Sequence, residues 1–285
     1  MDHFDLILID GNFFTYRLLT SMPAFDLQYK SERQGSFLIY NFLNSLQSIL
    51  KQFTFNNLII CWDSKINKRK EIYPDYKANR KVRTEEQKER RKHLYGLMNY
   101  LKEELKTLGQ WANVEKEGYE GDDLIAYFVL ENNRKCLIAS SDNDLYQLLL
   151  KDKVFIYLIK DKKVFTEQDF EDEYKITVEN WPLIKSIIGD KTDNIKGIYG
   201  IGIKTAIKYY LDEKEPEKFD NLVNDNSTLI AQNYQIIKLP IDNDINLKLP
   251  QCYFDQEKWI EMFQKNGLRK LNLNDFKLFL NKSCN

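Results

Sequence analysis

Short apolar runs that each end in an aspartate set the first elements of the chain. Leu6-Ile7-Leu8-Ile9 is continuously apolar and stops at Asp10-Gly11-Asn12. That is the pattern of a strand buried on both faces and closed by a polar turn. Asn57 to Asp63 and Lys135 to Asp142 repeat it, with Leu58 to Trp62 and Cys136 to Ala139 as the apolar parts. Phe37, Tyr40, Leu43, Leu46 and Leu50 have helical spacing, and two more helical stretches, 85–108 and 121–131, lie between the second and third strands. Strands alternating with helices predict an α/β fold with a mostly parallel sheet. Residues 154–166 read as a β-hairpin around Lys160-Asp161-Lys162. From residue 167 the pattern is almost wholly helical, with helices expected over 178–189 and 203–211 and a polar-rimmed helical end over 241–285 that suggests no chemistry. This helical part is expected to pack on the sheet.

Composition narrows the classes. The chain has 285 residues, 30% charged and 43% hydrophobic, ordinary for a globular protein and ample for a core without staples. Its formal net charge of −1 does not announce a nucleic-acid partner. His3 and His93 are the only histidines, which argues against histidine-rich zinc sites and histidine-based triads. Cys61, Cys136, Cys252 and Cys284 form no CxxC pair, the usage of a reduced intracellular protein. The acidic start is unlike a signal peptide, and no apolar stretch approaches the ~18 residues of a membrane span. A cytoplasmic location, in a bacterial cell or a phage-infected host, is expected.

Acids gather where a parallel sheet binds ligands, at the carboxyl ends of its strands. Asp10, Asp63 and Asp142 follow the three strands. Glu120, Asp122 and Asp123 open an apolar helix, Asp144 follows Asp142, and Asp190 and Asp193 occupy Gly189-Asp190-Lys191-Thr192-Asp193-Asn194. Each group taken alone also suits a helix cap or a turn. Nine acids brought to one edge are a different matter, because two carboxylates 4 Å apart repel by about 4 kcal/mol at an effective dielectric near 20. Oxygen donors without histidine fit Mg²⁺ or Mn²⁺, and two such ions roughly 4 Å apart suit in-line displacement at phosphorus.

Two segments are basic. Lys65 to Lys92 holds 12 Lys/Arg against 5 Asp/Glu, with Tyr73 and Tyr76 among Lys70, Lys77, Arg80, Lys81 and Arg83. Interleaved bases and aromatics suit phosphate neutralisation and base stacking. A solvated helix with i,i+4 pairs is the plainer reading of 84–92. The second segment, Lys196 to Lys208, contains Gly197, Gly200 and Gly202 between two expected helices and no acid. Glycines there let the backbone approach a phosphate, with Lys196, Lys204 and Lys208 adding charge; a plain helix–helix turn is the alternative.

In order along residues 4–240, these motifs resemble the 5′-nuclease family of flap endonucleases and 5′–3′ exonucleases. The likeness is to free-standing bacteriophage members and, more loosely, to the N-terminal nuclease domain of bacterial DNA polymerase I. It is carried by Ile9-Asp10-Gly11-Asn12, Trp62-Asp63, Tyr73-Pro74-Asp75-Tyr76-Lys77-Ala78-Asn79-Arg80, Glu120-Gly121-Asp122-Asp123, Ser141-Asp142-Asn143-Asp144, Gly189 to Asn194 and the glycine segment. The resemblance implies a PIN-like core with a mostly parallel sheet over 1–175, a helical arch over about 65–95, and a helical DNA-binding region over 176–285. That region would include a helix–three-turn–helix module at about 178–212. It implies a first metal site of Asp63, Glu120, Asp122 and Asp123, a second of Asp142, Asp144, Asp190 and Asp193, and Asp10 nearby. Lys77 and Arg80 would contact the scissile phosphate. Gly200, Gly202 and Lys204 would grip duplex phosphates where the family often binds K⁺. Thr205 departs from the second basic residue common in phage relatives, which bears on the strength of that grip.

The expected function is a monomeric, structure-selective 5′-nuclease that uses two Mg²⁺ or Mn²⁺ ions on DNA with a 5′ flap or single-strand/duplex junction. Its place would be in replication or repair, with a DNA polymerase as a conceivable partner. The alternatives are a PIN-type ribonuclease and a non-catalytic junction-binding protein. Flap DNA beside single-stranded RNA, and a metal titration followed by thermal shift, separate them.

Overall fold

The computed structural model describes residues 2–21, 31–80, 84–108, 112–212, 216–250 and 255–271. β1 (His3–Asp10) runs straight into α1 (Gly11–Ser21), so the expected polar turn is instead a helix start. Asp10 takes the capping position there, accepting from the Phe13 amide at 2.9 Å. A side chain at Gly11 would put a Cβ 2.7 Å from the Trp62 ring, so only glycine lets helix and strand approach this closely. α2 (Ser31–Leu50), β2 (Thr54–Trp62), the single turn α3 (Arg69–Ile72), a 3-10 turn (Ala78–Arg80) and the long α4 (Glu85–Leu108) follow.

β3 (Ala112–Glu115) is an edge strand that the sequence pattern missed, being short and holding one β-branched residue. Then come α5 (Gly121–Asn132), β4 (Cys136–Ala139), a 3-10 helix (Asn143–Leu148), β5 (Val154–Leu158), β6 (Lys163–Phe165) and α6 (Glu167–Tyr174). β5 and β6 form the expected hairpin. The sheet order is β3-β2-β1-β4-β5-β6, parallel except at β6. The chain winds outward from β1 to β2 and β3, then returns to place β4 on the other side of β1. The crevice beyond the ends of β1 and β4 is therefore the topological switch point, where open α/β sheets bind ligands.

Both faces of the sheet are covered, as its continuously apolar strands require. Ile7, Ile9 and Ile60 face a core shared with Leu38, Phe42 and Leu46 of α2 and Leu101 and Leu105 of α4. Leu6, Leu8 and Ile59 face Leu124 and Phe128 of α5 and, in the same core, Trp181 and Ile184 of α7 (Trp181–Ile188).

Beyond α7 a two-stranded ribbon intrudes on the expected helical run: β7 (Gly189–Asp190) and β8 (Ile195–Lys196). Its tight closure depends on Gly197, where a Cβ would lie 2.0 Å from the Ile188 carbonyl oxygen. α8 (Ile203–Tyr210), α9 (Pro216–Asp225) and α10 (Ser227–Ile237) follow. Residues 238–250 contain no helix, a correction to the helical reading of this end, and α11 (Gln256–Lys265) is the one helix among the described residues beyond them. The segment is not helical because its backbone and acids bond outward to the core, as set out below. No described helix is long and apolar enough to cross a membrane. Cys61 and Cys136 are buried free thiols; Cys252 and Cys284 lie outside the described residues.

Candidate active site

A cavity of about 270 Å³ opens at the switch point. Glu120 and Asp122 reach it from the start of α5, Asp142 and Asp144 from just beyond β4, and Asp190 and Asp193 from the β7–β8 ribbon. Lys77 and Arg80 line it from the segment after α3. Six acids thus share one cavity with three lining cations, Arg69, Lys77 and Arg80.

Asp10 and Asp63 lie beside this group rather than on the cavity wall. Asp10 is buried, accepts from the Ser140 hydroxyl at 3.1 Å, and is pushed up to about 7 by burial and by the charges of Asp63 and Asp142. Asp63 is held by local donors, the Asn12 amide at 2.7 Å and the Gly121 backbone N–H at 2.8 Å. Burial and then Glu120 push its carboxyl upward. Asp122 is raised well above the usual carboxylate range by burial and by Asp10, Asp142, Asp63 and Glu120. Burial raises Asp142, and raises Asp144 to about 6 against the pull of Lys185. These upward shifts come first from burial, with the neighbouring acids adding to them.

The turn and cap readings of single motifs hold alongside this convergence. Asp142 accepts from the Asp144 amide at 2.9 Å, and Asp190 accepts from the Thr192 amide at 2.7 Å.

Basic side chains answer part of the charge. Lys77 pairs with Glu120, and burial of Glu120 is outweighed by Lys77 and then Arg69, so its carboxyl falls below the usual range. Lys77 has φ 57, a left-handed conformation costly for a residue with a Cβ, and its amide is fixed on the Asp193 carbonyl at 2.8 Å. Arg80 donates to Asp193 at 2.6 Å. Among the described residues, no three carboxylates already surround one cation-sized point. The oxygen-only donor set and the excess of acids over cations nevertheless fit hard divalent ions.

Three placements correct the sequence reading. Asp123 does not reach the cavity: it is fully buried against Arg69, one residue and about 100° of helix from Asp122. Tyr76, expected to stack on bases, is 3% exposed among Ile195, Ile236 and Ile237. Its hydroxyl lies 2.7 Å from Glu120 and 2.8 Å from Asp193, linking the two groups of acids. Tyr73, also expected to stack on bases, is half-buried, rests against the same apolar cluster and donates its hydroxyl to the Asn194 carbonyl at 3.2 Å. Lys70, Lys196, Gly200, Gly202, Lys204 and Lys208 are exposed, as a DNA-facing surface requires. Lys81 and Arg83 lie outside the described residues.

Four partners went unread in the sequence. Asn12 reads as part of a polar turn, Ser140 carries no signal beyond the strand-end segment that holds it, and Arg69 is one base among many. Lys185 had a legible signal, a lone lysine within the apolar helix Trp181–Ile188.

Comparison with known proteins agrees with this geometry. The family described as 5′-3′ exonuclease, N-terminal resolvase-like domain, matches residues 5–175. A 5′-3′ exonuclease of Aquifex aeolicus is 32% identical over 94% of this chain and 95% of its own length. DNA polymerase I of Mycobacterium leprae is 28% identical over 73% of this chain, which corresponds to 22% of the polymerase. In fold, a bacteriophage T5 flap endonuclease in a pseudo-enzyme-product complex with DNA and metal ions superposes with a TM-score of 0.65 at 22% identity, covering 98% of this chain and 99% of that one. On the extent of the family match and the identity to the Aquifex protein, the chain belongs to the 5′-3′ exonuclease family of nucleases.

Proposed function

We propose that the chain is a structure-selective, divalent-metal-dependent 5′-nuclease that hydrolyses DNA phosphodiesters near single-strand/duplex junctions, leaving a 5′-phosphate and a 3′-hydroxyl. The observation that carries this reading is the meeting of six carboxylates with Lys77 and Arg80 around one cavity at the switch point of the sheet.

Glu120 and Asp122, with Asp63 beside them, would hold one ion, and Asp142, Asp144, Asp190 and Asp193 would hold a second. When bound, Mg²⁺ or Mn²⁺ supplies charge stabilisation to the attacking and leaving oxygens of an in-line displacement. The chain's own side chains do the rest. Lys77 and Arg80, paired with Glu120 and Asp193 at the rim of the cavity, would offer their charge to the scissile phosphate and stabilise the transition state. Asp63 and Asp10, held by Asn12 and Ser140, stiffen the floor beneath the ligands.

Duplex DNA is read by a second surface. Lys196, Lys204 and Lys208 are exposed around an open loop in which Gly200 has φ +79 and nothing lies within 4 Å of a Cβ at Gly200 or Gly202. Between α7 and α8 this is the helix–three-turn–helix module, with backbone amides and lysines on successive phosphates and room for K⁺ at the turn. The basic segment from Lys65 onward forms the arch that admits the 5′ strand. The module, at about 178–212, would belong to a DNA-binding region over 176–285, with the catalytic core over 1–175.

Incubation with labelled 5′-flap DNA and, side by side, single-stranded RNA, each with and without Mg²⁺, tests this reading. Mg²⁺-dependent cutting of the flap near its junction is expected; preferential cutting of the RNA would instead favour a PIN-type ribonuclease.

A further inference from the structure

Arg69 is 3% exposed and Asp123 is fully buried, and Arg69 fills two of the bonding sites of the Asp123 carboxylate while backbone amides fill the rest. Oδ2 accepts from Arg69 Nη1 at 2.5 Å and from the Glu120 amide at 3.0 Å. Oδ1 accepts from Arg69 Nη2 at 2.8 Å and from the Ile241 amide at 2.9 Å. An ionised carboxylate offers about four lone-pair sites, and four donors fill them, so none is left for a metal ion. Arg69 Nε donates to the Ile236 carbonyl at 2.8 Å, and Nη1 lies 3.4 Å from Glu120 Oε2. One guanidinium therefore joins three stretches of chain: the base of the segment carrying Lys77 and Arg80, the start of α5, and the last turn of α10, with the residues just beyond that turn held through Asp123.

The same three stretches meet again one residue outward. Lys68 donates to Asp242 at 2.6 Å and to the Tyr119 hydroxyl at 2.6 Å, and Tyr119 donates to Asp242 at 2.8 Å. This repetition is what a fixed foot requires and what a lone buried ion pair lacks.

We propose that Arg69 is a positioning residue of the nuclease reaction, acting through Glu120 and through the foot of the segment that carries Lys77 and Arg80, and that Asp123 is its counter-ion rather than a metal ligand. The proposal rests on the nuclease reading above. The planar fork is essential to it, since lysine carries the charge and cannot make the paired contacts to Asp123 while bonding Ile236.

The test uses the full chain. Replacing a buried ion pair by apolar residues of similar volume commonly preserves folding, so the double variant Arg69→Met/Asp123→Leu removes the fork and leaves no orphaned charge. Its unfolding midpoint is expected to fall, because the Glu120 and Ile241 amides and the Ile236 carbonyl lose their side-chain partners, while the transition stays cooperative. Its junction-DNA affinity in EDTA should stay within threefold, and its Mn²⁺ stoichiometry by electron paramagnetic resonance should be unchanged. Its kcat on 5′-flap DNA at saturating Mg²⁺ should fall at least tenfold. Arg69→Lys, which keeps the buried charge and so protects folding, should lose at least threefold in kcat at unchanged junction affinity. Wild-type kcat in both variants would overturn the positioning role, and loss of a bound Mn²⁺ in the double variant would overturn the counter-ion assignment. Failure of the wild-type chain itself to cut flap DNA would instead strike the nuclease reading.

Discussion

The Lys185 ammonium lies 2.8 Å from the Asp144 carboxylate, in a helix that holds no other charged residue. Asp190 stands on its other side at 3.1 Å. Burial works against the charge on Lys185, but Asp144 and Asp190 hold it protonated, and Asp190 in turn falls below the usual range despite its own burial. Lys185 is thus an internal cation set between acids from β4 and from the ribbon. It balances these acids in the structure, and it would compete with a metal ion for them.

That competition has a measurable sign. Lys185→Met should destabilise the metal-free chain by about 2–4 kcal/mol, because breaking a largely buried pair leaves acids uncompensated and their partial exposure softens the cost. The same variant should gain more stability from Mg²⁺ than wild type gains. Thermal unfolding in EDTA and across a Mg²⁺ series checks both halves, and an equal Mg²⁺ increment in the two proteins would remove the competition.

Lys77 is held left-handed over the acids and pairs with Glu120. If it serves the transition state, Lys77→Ala should lower kcat by about 10²-fold, as loss of an electrostatic stabiliser commonly does, with little change in junction affinity. Single-turnover cleavage beside binding in EDTA makes the comparison. A variant that binds weakly but cuts at the wild-type rate once bound would reassign Lys77 to substrate capture.

The crowded acids predict how the metal-free chain responds to pH. Asp10 moves from an ordinary 3.8 in the unfolded chain to about 7 in the folded one, with burial as the main cause. Between those values the folded state binds more protons, so the contribution of Asp10 to stability is greatest below about pH 4 and is lost as pH rises through 7. Asp144, raised to about 6, adds in the same direction. Glu120 and Asp190 are lowered and act oppositely, but they titrate below their ordinary values, outside the window from pH 5 to 8. In EDTA the melting temperature should therefore fall from pH 5 to 8, by the equivalent of a few kcal/mol at most, and Asp10→Asn should flatten the slope. A melting temperature that climbs across this window would contradict the account of the site.

At the glycine loop the expectation concerns salt. Lys196, Lys204 and Lys208 are exposed. Each one that meets a phosphate should, when changed to alanine, reduce the slope of log K against log salt by about 0.9 for duplex DNA. Filter binding from low to moderate salt reads this directly. An unchanged slope in the triple variant would move duplex binding elsewhere on the surface.

How much of this was legible depended on range. The strands, the long helix after Thr84 and the hairpin near Lys160 follow from local periodicity, and the strand-end aspartates follow from the strands. The ribbon at Gly189 and Ile195 was hidden because two-residue strands carry no period. Asp122 and Asp123 could not be told apart, because their opposite fates are set by a helix rotation and by Arg69, which is 54 positions distant. Tyr76 looked like a stacking platform among bases, and only the packing of Ile195, Ile236 and Ile237 over it shows a buried tether. The part played by residues 236–242 was invisible, since it runs largely through backbone amides and carbonyls that any sequence would supply.

Asp142 concentrates the central claim, because it lines the cavity beside β4 and adds its charge to those of Asp10 and Asp122. Asp142→Asn keeps its shape and removes that charge. Cleavage of a labelled 5′-flap DNA in Mg²⁺, with junction binding and melting in EDTA measured on the same preparations, is the direct test. The variant should bind the junction as wild type does, melt at an equal or higher temperature without metal, and fail to cut. Cutting at the wild-type rate, with or without Mg²⁺, would contradict a metal-dependent carboxylate centre at this edge of the sheet.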